Sequence, residues 1–270
     1  MIQVIKCIIY GLISGLSEIV PASTRGHQSV LMMLFGMSSR DPMLDLMTHA
    51  GILLCLLLSC RSQIKYLAGK TRNVQSNLSV NRYDRRLLFS ASFVMFISVF
   101  FYNSGTKYEL NPLALSAFFL VNAIILMIPD YIRQSNKNAG QMGPFNSLLI
   151  GLSGILSVFP GLSRLGTGCS IAIFCGAEKQ NAFNWLLLLT VPAMIILLIL
   201  DVIGLFTIGL SGISLWLILG YLLAAAASMG GCYIGIMLMR FVLVNSGISI
   251  FSLYSFGASL FTFIVYLMAF

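Results

Sequence analysis

The sequence predicts an all-α membrane protein, and three observations support that fold class. Of its 270 residues, 58% are hydrophobic and only 9% are charged, whereas soluble domains carry roughly 25% charged residues. Six unbroken stretches are apolar over a length that crosses a bilayer, about 17–25 residues. The net charge of +8 does not indicate nucleic acid, because seven basic residues share one loop, 61–86, with a single acid, as cytoplasmic loops do. We therefore expect one membrane domain over residues 1–270.

The apolar stretches divide into spans and broken segments. In chain order, the six predicted spans are residues 43–60, 87–104, 113–129, 183–204, 213–239 and 248–269. Two further stretches, about 4–36 and 146–176, are interrupted in the middle by polar residues. Each half is too short to cross, so each pair is expected to enter the membrane and turn back as a re-entrant helical hairpin.

The two interruptions have similar sequences. The first reads GLSEIVPASTRG and the second GILSVFPGLSRLG, at an offset of 139 residues. This alignment pairs Pro21 with Pro160 and places Arg25 and Arg164 four residues after their prolines. The match predicts an internal repeat, with Arg25 and Arg164 in equivalent positions.

The order of hairpins and spans predicts how the two halves are related. Each hairpin precedes three predicted spans, and since three is odd, the second half must be inverted relative to the first. Repeat one covers about residues 1–130 and repeat two about 144–270. If loop 61–86 is cytoplasmic, the N-terminus and the first hairpin face outward. Inverted repeats with broken helices place a site near the middle of the membrane.

Polar residues at both hairpin tips are the candidates for chemistry. Ionisable groups at membrane depth are functional candidates, and helices that begin at the tips aim N–H groups that suit an anion such as phosphate. Arginine adds a planar fork that matches phosphate oxygens, while a hydroxyl, a carboxylate and an imidazole can attack and transfer protons. The candidates are Glu18, Ser23, Thr24, Arg25, His27, Gly161, Ser163, Arg164 and Gly166.

Structural roles remain open for several of these residues. Ser23 and Thr24 could only cap the helix that starts near Gly26. Arg25 could extend to lipid headgroups, and His27 could lie at the membrane interface.

Outside the hairpins, one further pair of ionisable residues stands in an apolar segment. Asp45 and His49 lie one turn apart on a predicted helix, where they could line the cavity or form a structural pair. We favour the structural interpretation.

At these residues the chain resembles the undecaprenyl-diphosphate phosphatase family, the integral-membrane type linked to bacitracin resistance. The first family motif has two acidic or glutamine positions four apart, then P-x-S-S-T-G-H, and here the stretch reads SGLSEIVPASTRGH. The second family motif reads PGTSRSGAT, and here PGLSRLGTG. The layout of hairpins and spans is similar over nearly the whole chain.

The resemblance implies a function as well as a fold. It implies hydrolysis of undecaprenyl (polyprenyl) diphosphate to the monophosphate and inorganic phosphate at the outer face of the bacterial cytoplasmic membrane, which recycles the lipid carrier of cell-wall synthesis. It also implies a divalent cation, Mg²⁺ or Ca²⁺, near Glu18. The implied partners are the lipid substrate and the membrane, with no nucleic acid, and a homodimer is left open.

The resemblance and the chemistry of the residues together predict roles for individual positions. Thr24, or Ser23, would attack the terminal phosphorus or orient a water that does. Glu18 and His27 would transfer protons. Charge on the phosphoryl oxygens would be stabilised by Arg164 and Ser163 of the second motif, by Arg25, and by the N–H groups of the tips around Gly161 and Gly166.

Departures from the family motifs leave a second interpretation open. Ser14 stands where the first acid belongs, Thr24 replaces the second serine, and Arg25 replaces the threonine. In the second motif, Leu165 and Gly168 replace a serine and a threonine. The lost polar groups favour a non-catalytic polyprenyl-phosphate transporter or lipid-phosphate binder on the same fold. A purely structural membrane protein would not explain two matching polar hairpins.

Overall fold

A computed structural model describes residues 2–67, 92, 97, 101–131, 143–208 and 215–268. In these ranges the regular elements are all helices, as the sequence predicts. In chain order they are α1 (Ile2–Ile19), α2 (Thr24–Phe35), α3 (Pro42–Ser59), α4 (Arg61–Leu67), α5 (Tyr102–Thr106), α6 (Pro112–Met127), a 3₁₀ turn (Ile128–Tyr131), α7 (Pro144–Leu156), α8 (Arg164–Phe174), α9 (Lys179–Ile208), α10 (Leu215–Asn245) and α11 (Ile250–Met268).

Within the described ranges, five helices are long and apolar enough to span a membrane, namely α1, α3, α9, α10 and α11, so the chain is a multi-pass membrane protein. We expected each half of the first broken stretch to be too short to cross. Helix α1 does not meet this expectation, because it runs without a break for 18 residues. Helices α2, α7 and α8 are short, at 12, 13 and 11 residues. Helix α6, at 16 residues, is shorter than the five.

Several predictions concern residues that the structure does not describe. The span 87–104 falls mostly outside the described ranges, as does the basic loop 61–86 beyond α4. The connections at 132–142 and 209–214 lie outside them too. The side on which these loops lie therefore stays a prediction.

Side-chain caps explain where several helices begin. At the start of α3, the Asp41 side chain accepts from two backbone N–H groups and Pro42 occupies the first turn. Asn111 and Pro112 do the same for α6. A short acceptor followed by proline satisfies the free N–H groups of a first turn. These caps fix where α3 and α6 begin.

The helices of the first half pack closely on those of the second. Helix α1 lies along α10, α6 lies against α11, and α3 contacts both α9 and α10. At Gly11 and Gly15 of α1, and at Gly231 of α10, an added Cβ would collide with the backbone of the facing helix. Small residues allow such close approach of membrane helices. The packing holds the first hairpin against the second half of the chain.

Candidate active site

The tips of the two hairpins touch each other. The Gly161 N–H donates to Ser23 Oγ at 3.0 Å, and a Cβ on Gly26 would lie 2.9 Å from the Gly161 nitrogen. In a second contact, a Cβ on Gly166 would lie 2.7 Å from Cβ of Pro21. Gly161 has a φ of +112°, which residues with side chains rarely adopt. Glycines at the tips therefore let the two backbones meet.

Ser23 holds this junction and caps α2. Its φ of +70° places a non-glycine residue in the left-handed region, a strained backbone that persists only where the surroundings fix it. Its Oγ accepts from Gly26 N at 3.2 Å and from Gly161 N at 3.0 Å. Because a hydroxyl oxygen has two lone pairs, both acceptor positions of Ser23 are occupied. The capping interpretation thus describes Ser23, while the Thr24 hydroxyl is engaged elsewhere.

Thr24 and Arg164 both bond to the carboxylate of Glu18. The Thr24 hydroxyl donates to Glu18 Oε2 at 2.6 Å, and Arg164 Nη1 donates to Glu18 Oε1 at 3.2 Å. Glu18 is only 6% exposed, and a buried carboxylate needs such partners. The carboxylate, the hydroxyl and the guanidinium predicted from two distant motifs are therefore brought together by the hairpins.

These three residues line a small polar cavity. Its open volume is about 30 Å³, room for about two water molecules. The polar side chains around it are Glu18, Thr24, Arg25, Gln28, Arg40, His49, Ser157 and Arg164. Three of them are arginines, and each is paired with a buried carboxylate, that of Glu18, Asp45 or Glu109. An anion that entered the cavity would therefore meet guanidinium groups whose charge it shares with these carboxylates.

Arg25 reaches the cavity in a different way from Arg164. Its Nη2 is 2.5 Å from Glu109 Oε1, and its Nη1 donates to the Val158 carbonyl. The side chain therefore turns into the protein and does not extend to headgroups. The expected equivalence with Arg164 is not met either, because the serine caps that start α2 and α8, Ser23 and Ser163, correspond at an offset of 140 residues.

Two cavity residues, Gln28 and Arg40, were not anticipated from the sequence. Arg40 Nε pairs with the second oxygen of Glu109 at 2.7 Å, and its Nη1 pairs with Asp45 at 3.1 Å. The same Nη1 donates to Gln28 Oε1 at 3.0 Å, and Gln28 Nε2 donates to Ser14 Oγ at 3.1 Å. Ser14, at the position where the resemblance expects an acidic or glutamine side chain, is thus hydrogen-bonded through Gln28 to the guanidinium of Arg40.

Asn122 on α6 joins both tips and was also missed. Its Nδ2 donates to the Pro21 carbonyl at 3.1 Å and to Ser255 Oγ at 2.9 Å. Its Oδ1 accepts from Ser163 N at 2.9 Å. The signal was present in the sequence, since an amide stands alone in the apolar run FFLVNAIILM, and buried polar groups need partners.

His27 lies in a different cavity from Glu18. Its Nε2 is 2.5 Å from the Tyr254 hydroxyl, and its Nδ1 is 2.8 Å from the Ser23 carbonyl oxygen. It lines a largely apolar space of about 520 Å³, beside Val20. The expected proton transfer by His27 is therefore not supported by its position, because both ring nitrogens already have partners away from the polar cavity.

A second histidine does line the polar cavity. His49 Nδ1 is 2.6 Å from Asp201 Oδ2 on α9. Asp45 instead accepts from the Tyr10 hydroxyl at 2.6 Å and pairs with Arg40. The favoured interpretation, a structural pair of Asp45 with His49, is thus not what forms, and the cavity-lining alternative describes His49.

The residues around Glu18 do not fit a resident divalent cation. Across the described ranges, no group of three or more His, Cys, Asp or Glu side chains is placed to hold a metal ion. Both Glu18 oxygens are bonded to Thr24 and Arg164, and further arginines line the cavity. The Mg²⁺ or Ca²⁺ stays a prediction, because a cation there would need ligands from the substrate itself.

The chain is similar to a known family over most of its length. The family described as Bacitracin resistance protein BacA matches residues 7–261. The chain is 26% identical over 212 residues to an undecaprenyl-diphosphatase of Desulfatibacillum aliphaticivorans, covering 73% of this chain and 77% of that protein. It is 23% identical over 255 residues to an undecaprenyl-diphosphatase of Methanococcus maripaludis, covering 94% and 97% of the two chains.

Proposed function

The chain belongs to the Bacitracin resistance protein BacA family, and we propose that it is a hydrolase that converts undecaprenyl diphosphate to the monophosphate and inorganic phosphate. The arrangement of Thr24, Glu18 and Arg164 carries this proposal. The Thr24 hydroxyl lies 2.6 Å from a carboxylate oxygen of Glu18, which places a nucleophile in contact with a base. The guanidinium on the other carboxylate oxygen is within reach of a phosphate that enters between them.

The reaction starts with the Thr24 hydroxyl. Its proton passes to Glu18 Oε2 while Oγ1 attacks the terminal phosphorus of the diphosphate. The bond from that phosphorus to the bridging oxygen breaks, and the lipid monophosphate leaves with the bond's electrons. Water then cleaves the phosphothreonine, the proton on Glu18 returns to the Thr24 oxygen, and inorganic phosphate departs.

Arginines balance the negative charge of the reacting phosphates. Arg164 exchanges its bond to Glu18 for bonds to the equatorial oxygens, and the cavity places Arg25 and Arg40 nearby. Burial strengthens these interactions, since charges attract more strongly in a low-dielectric site than in water. The N–H groups that start α8, which Ser163 caps, add partial positive charge.

The lipid part of the substrate fits the apolar surroundings of the hairpin. The 520 Å³ cavity beside His27 is lined mainly by aliphatic side chains, including Leu16, Val20 and Leu238. An isoprenoid chain would replace water or detergent there. We place the site at the outer face of the bacterial cytoplasmic membrane, where its product re-enters cell-wall synthesis. The location is inferred from the positive charge of loop 61–86, which the positive-inside rule assigns to the cytoplasm.

We also propose that the two halves form an inverted repeat, with Ser23 equivalent to Ser163. The two tip contacts, Gly26 with Gly161 and Gly166 with Pro21, exchange with each other under a shift of 140 residues. Contacts that exchange in this way are expected of a two-fold axis through the junction. A site on such an axis draws groups from both halves.

Phosphate release from undecaprenyl diphosphate by the purified protein in detergent tests the function. We expect turnover by the unchanged protein and a loss of about 10²–10³-fold in an Arg164→Lys variant, because lysine lacks the fork that stabilises the transition-state charge. Binding of the lipid diphosphate without release, in the unchanged protein, would contradict hydrolysis and favour the transporter or lipid-phosphate binder.

A further inference from the structure

Attack by Thr24 and proton transfer to Glu18 leave the buried His49–Asp201 pair unused. Both side chains are buried, with 6% exposure each; His49 lies near the middle of α3 and Asp201 in the last third of α9. Buried ionisable residues in membrane helices are costly and are retained mainly where they act. The pair belongs to the same polar cavity as Glu18 and Thr24 through His49.

We propose that His49 is the base that activates the water in the second half of the reaction, and that Asp201 is its positioning residue. The proposal rests on the proposed function. Asp201 Oδ2 lies 2.6 Å from His49 Nδ1. In the neutral ring Nδ1 therefore carries the proton and donates a hydrogen bond to the carboxylate. Nε2 is then the basic atom, and no described residue is hydrogen-bonded to it.

The step is balanced in protons and bonds. Water gives a proton to His49 Nε2, and its oxygen bonds to the phosphorus on Thr24. The bond between phosphorus and Thr24 Oγ1 breaks, and Glu18 returns its proton to that oxygen. Asp201 stabilises the imidazolium that forms, as the carboxylate of a catalytic triad does. The imidazolium then loses its proton to water, which restores the neutral ring.

Glu18 cannot serve as this second base. It holds the proton that it took from Thr24, so it acts as the acid in the second half of the reaction. His27 is turned to Tyr254 and Ser23. Among the described polar residues around the cavity, the other ionisable groups are arginines, which stay protonated.

Other charges near His49 do not replace Asp201. On its own helix, Asp45 is bonded to Tyr10 and Arg40. Helix α10, which packs on α3, presents Ser228, whose hydroxyl donates to the Thr48 carbonyl at 2.9 Å. Asp201 is therefore the acid that sets the orientation of the ring.

The test is a search for phosphorylated Thr24. Full-length protein in detergent is mixed with undecaprenyl diphosphate, quenched with acid, and analysed by mass spectrometry of the Thr24 peptide. A His49→Gln variant is expected to turn over about 10²–10⁴-fold more slowly, to release about one lipid monophosphate per enzyme, and to accumulate phosphothreonine at Thr24. An Asp201→Asn variant, which keeps the shape but disturbs the tautomer, should accumulate it as well.

A matched control separates this role from packing. Cys55 lies on α3, is buried and is not part of the cavity lining, so Cys55→Ala should turn over without accumulating phosphothreonine. If His49→Gln does not fold, judged by size-exclusion elution and unfolding temperature, Asp201→Asn carries the test.

Two failures have different meanings. Turnover by His49→Gln equal to the unchanged protein, or slow turnover without phosphothreonine, would overturn the role of His49 and leave the hydrolase standing. An unchanged protein that forms neither product nor phosphothreonine would overturn the proposed function itself.

Discussion

Single side chains at the hairpin tips divide into those that hold the junction and those that are available to react. Ser23 has both acceptor positions filled by backbone N–H groups, whereas Thr24 donates to a carboxylate. Ser23 is the N-cap of α2 and has a positive φ, whereas Thr24 is the first helical residue, so the two neighbouring side chains point in different directions. In the proposed reaction Thr24 is the nucleophile and Ser23 holds the junction.

Substitutions at Thr24 test that assignment. Thr24→Ser keeps the hydroxyl and removes a methyl group, so activity should stay within about tenfold of the unchanged protein. Thr24→Val keeps the shape but removes the nucleophile, and we expect a loss of about a thousandfold or more. Rates of phosphate release measure both. Equal activity of the two variants would contradict a role for the hydroxyl.

At this scale the sequence singled out residues that lie together, while their roles stay predictions. The motifs identified Glu18, Thr24 and Arg164, which the structure brings into contact. The alignment by distance from proline made Arg25 equivalent to Arg164, but the serine caps are offset by one further residue. One residue rotates a helical side chain by about 100°, which turns Arg25 toward Glu109 instead. Such a shift is set by turn geometry that an alignment does not contain.

Contacts between elements decide how the two tips meet. Helix α6 contributes Asn122, which bonds to the backbone of both hairpins, and Ser163 N would lose its acceptor without it. The residues that make these links came from outside the recognised motifs. They are visible in the sequence only as isolated polar residues within apolar spans, which do not indicate which partner they meet.

Removal of the Asn122 amide should separate the tips. An Asn122→Leu variant leaves the Pro21 carbonyl and the Ser163 N–H without their side-chain partner, at a cost of about 1–3 kcal/mol for each buried group. We expect a lower unfolding temperature and at least a tenfold loss of phosphate release. Ser116→Ala is a control on the same helix, since its hydroxyl bonds to Ser259 away from the tips. Equal losses in the two variants would contradict a specific role for Asn122.

The junction also predicts the effect of a single methyl group. Gly161 has a φ of +112°, and a Cβ there would lie 2.7 Å from Phe118 Cβ and 2.9 Å from Phe119 N. Gly161→Ala should therefore destabilise the protein and reduce turnover, since strain and overpacking act together. Gly230→Ala is the control, because a Cβ there meets nothing within 4 Å. Thermal unfolding and phosphate release compare the two, and wild-type behaviour of Gly161→Ala would be at odds with the junction.

At the scale of the whole molecule, composition predicted the class of protein, and the apolar stretches predicted the positions of most of the long helices. Spans near 43–60, 183–204, 213–239 and 248–269 coincide with α3, α9, α10 and α11. The length of α1 was not anticipated, because Ser14, Ser17 and Glu18 make its last turns polar in sequence. In the structure these three side chains are buried on the inner face of one continuous helix. Apolarity alone does not distinguish a polar buried face from a break in a helix.

The measurement that tests the central claim most directly is hydrolysis in water labelled with oxygen-18. If Thr24 attacks the terminal phosphorus and water then cleaves the phosphothreonine, the label should appear in inorganic phosphate and be absent from the lipid monophosphate. The Thr24→Val variant should form neither labelled product above background. Label in the lipid monophosphate would mean attack at the other phosphorus and would contradict the arrangement of Thr24, Glu18 and Arg164 described here.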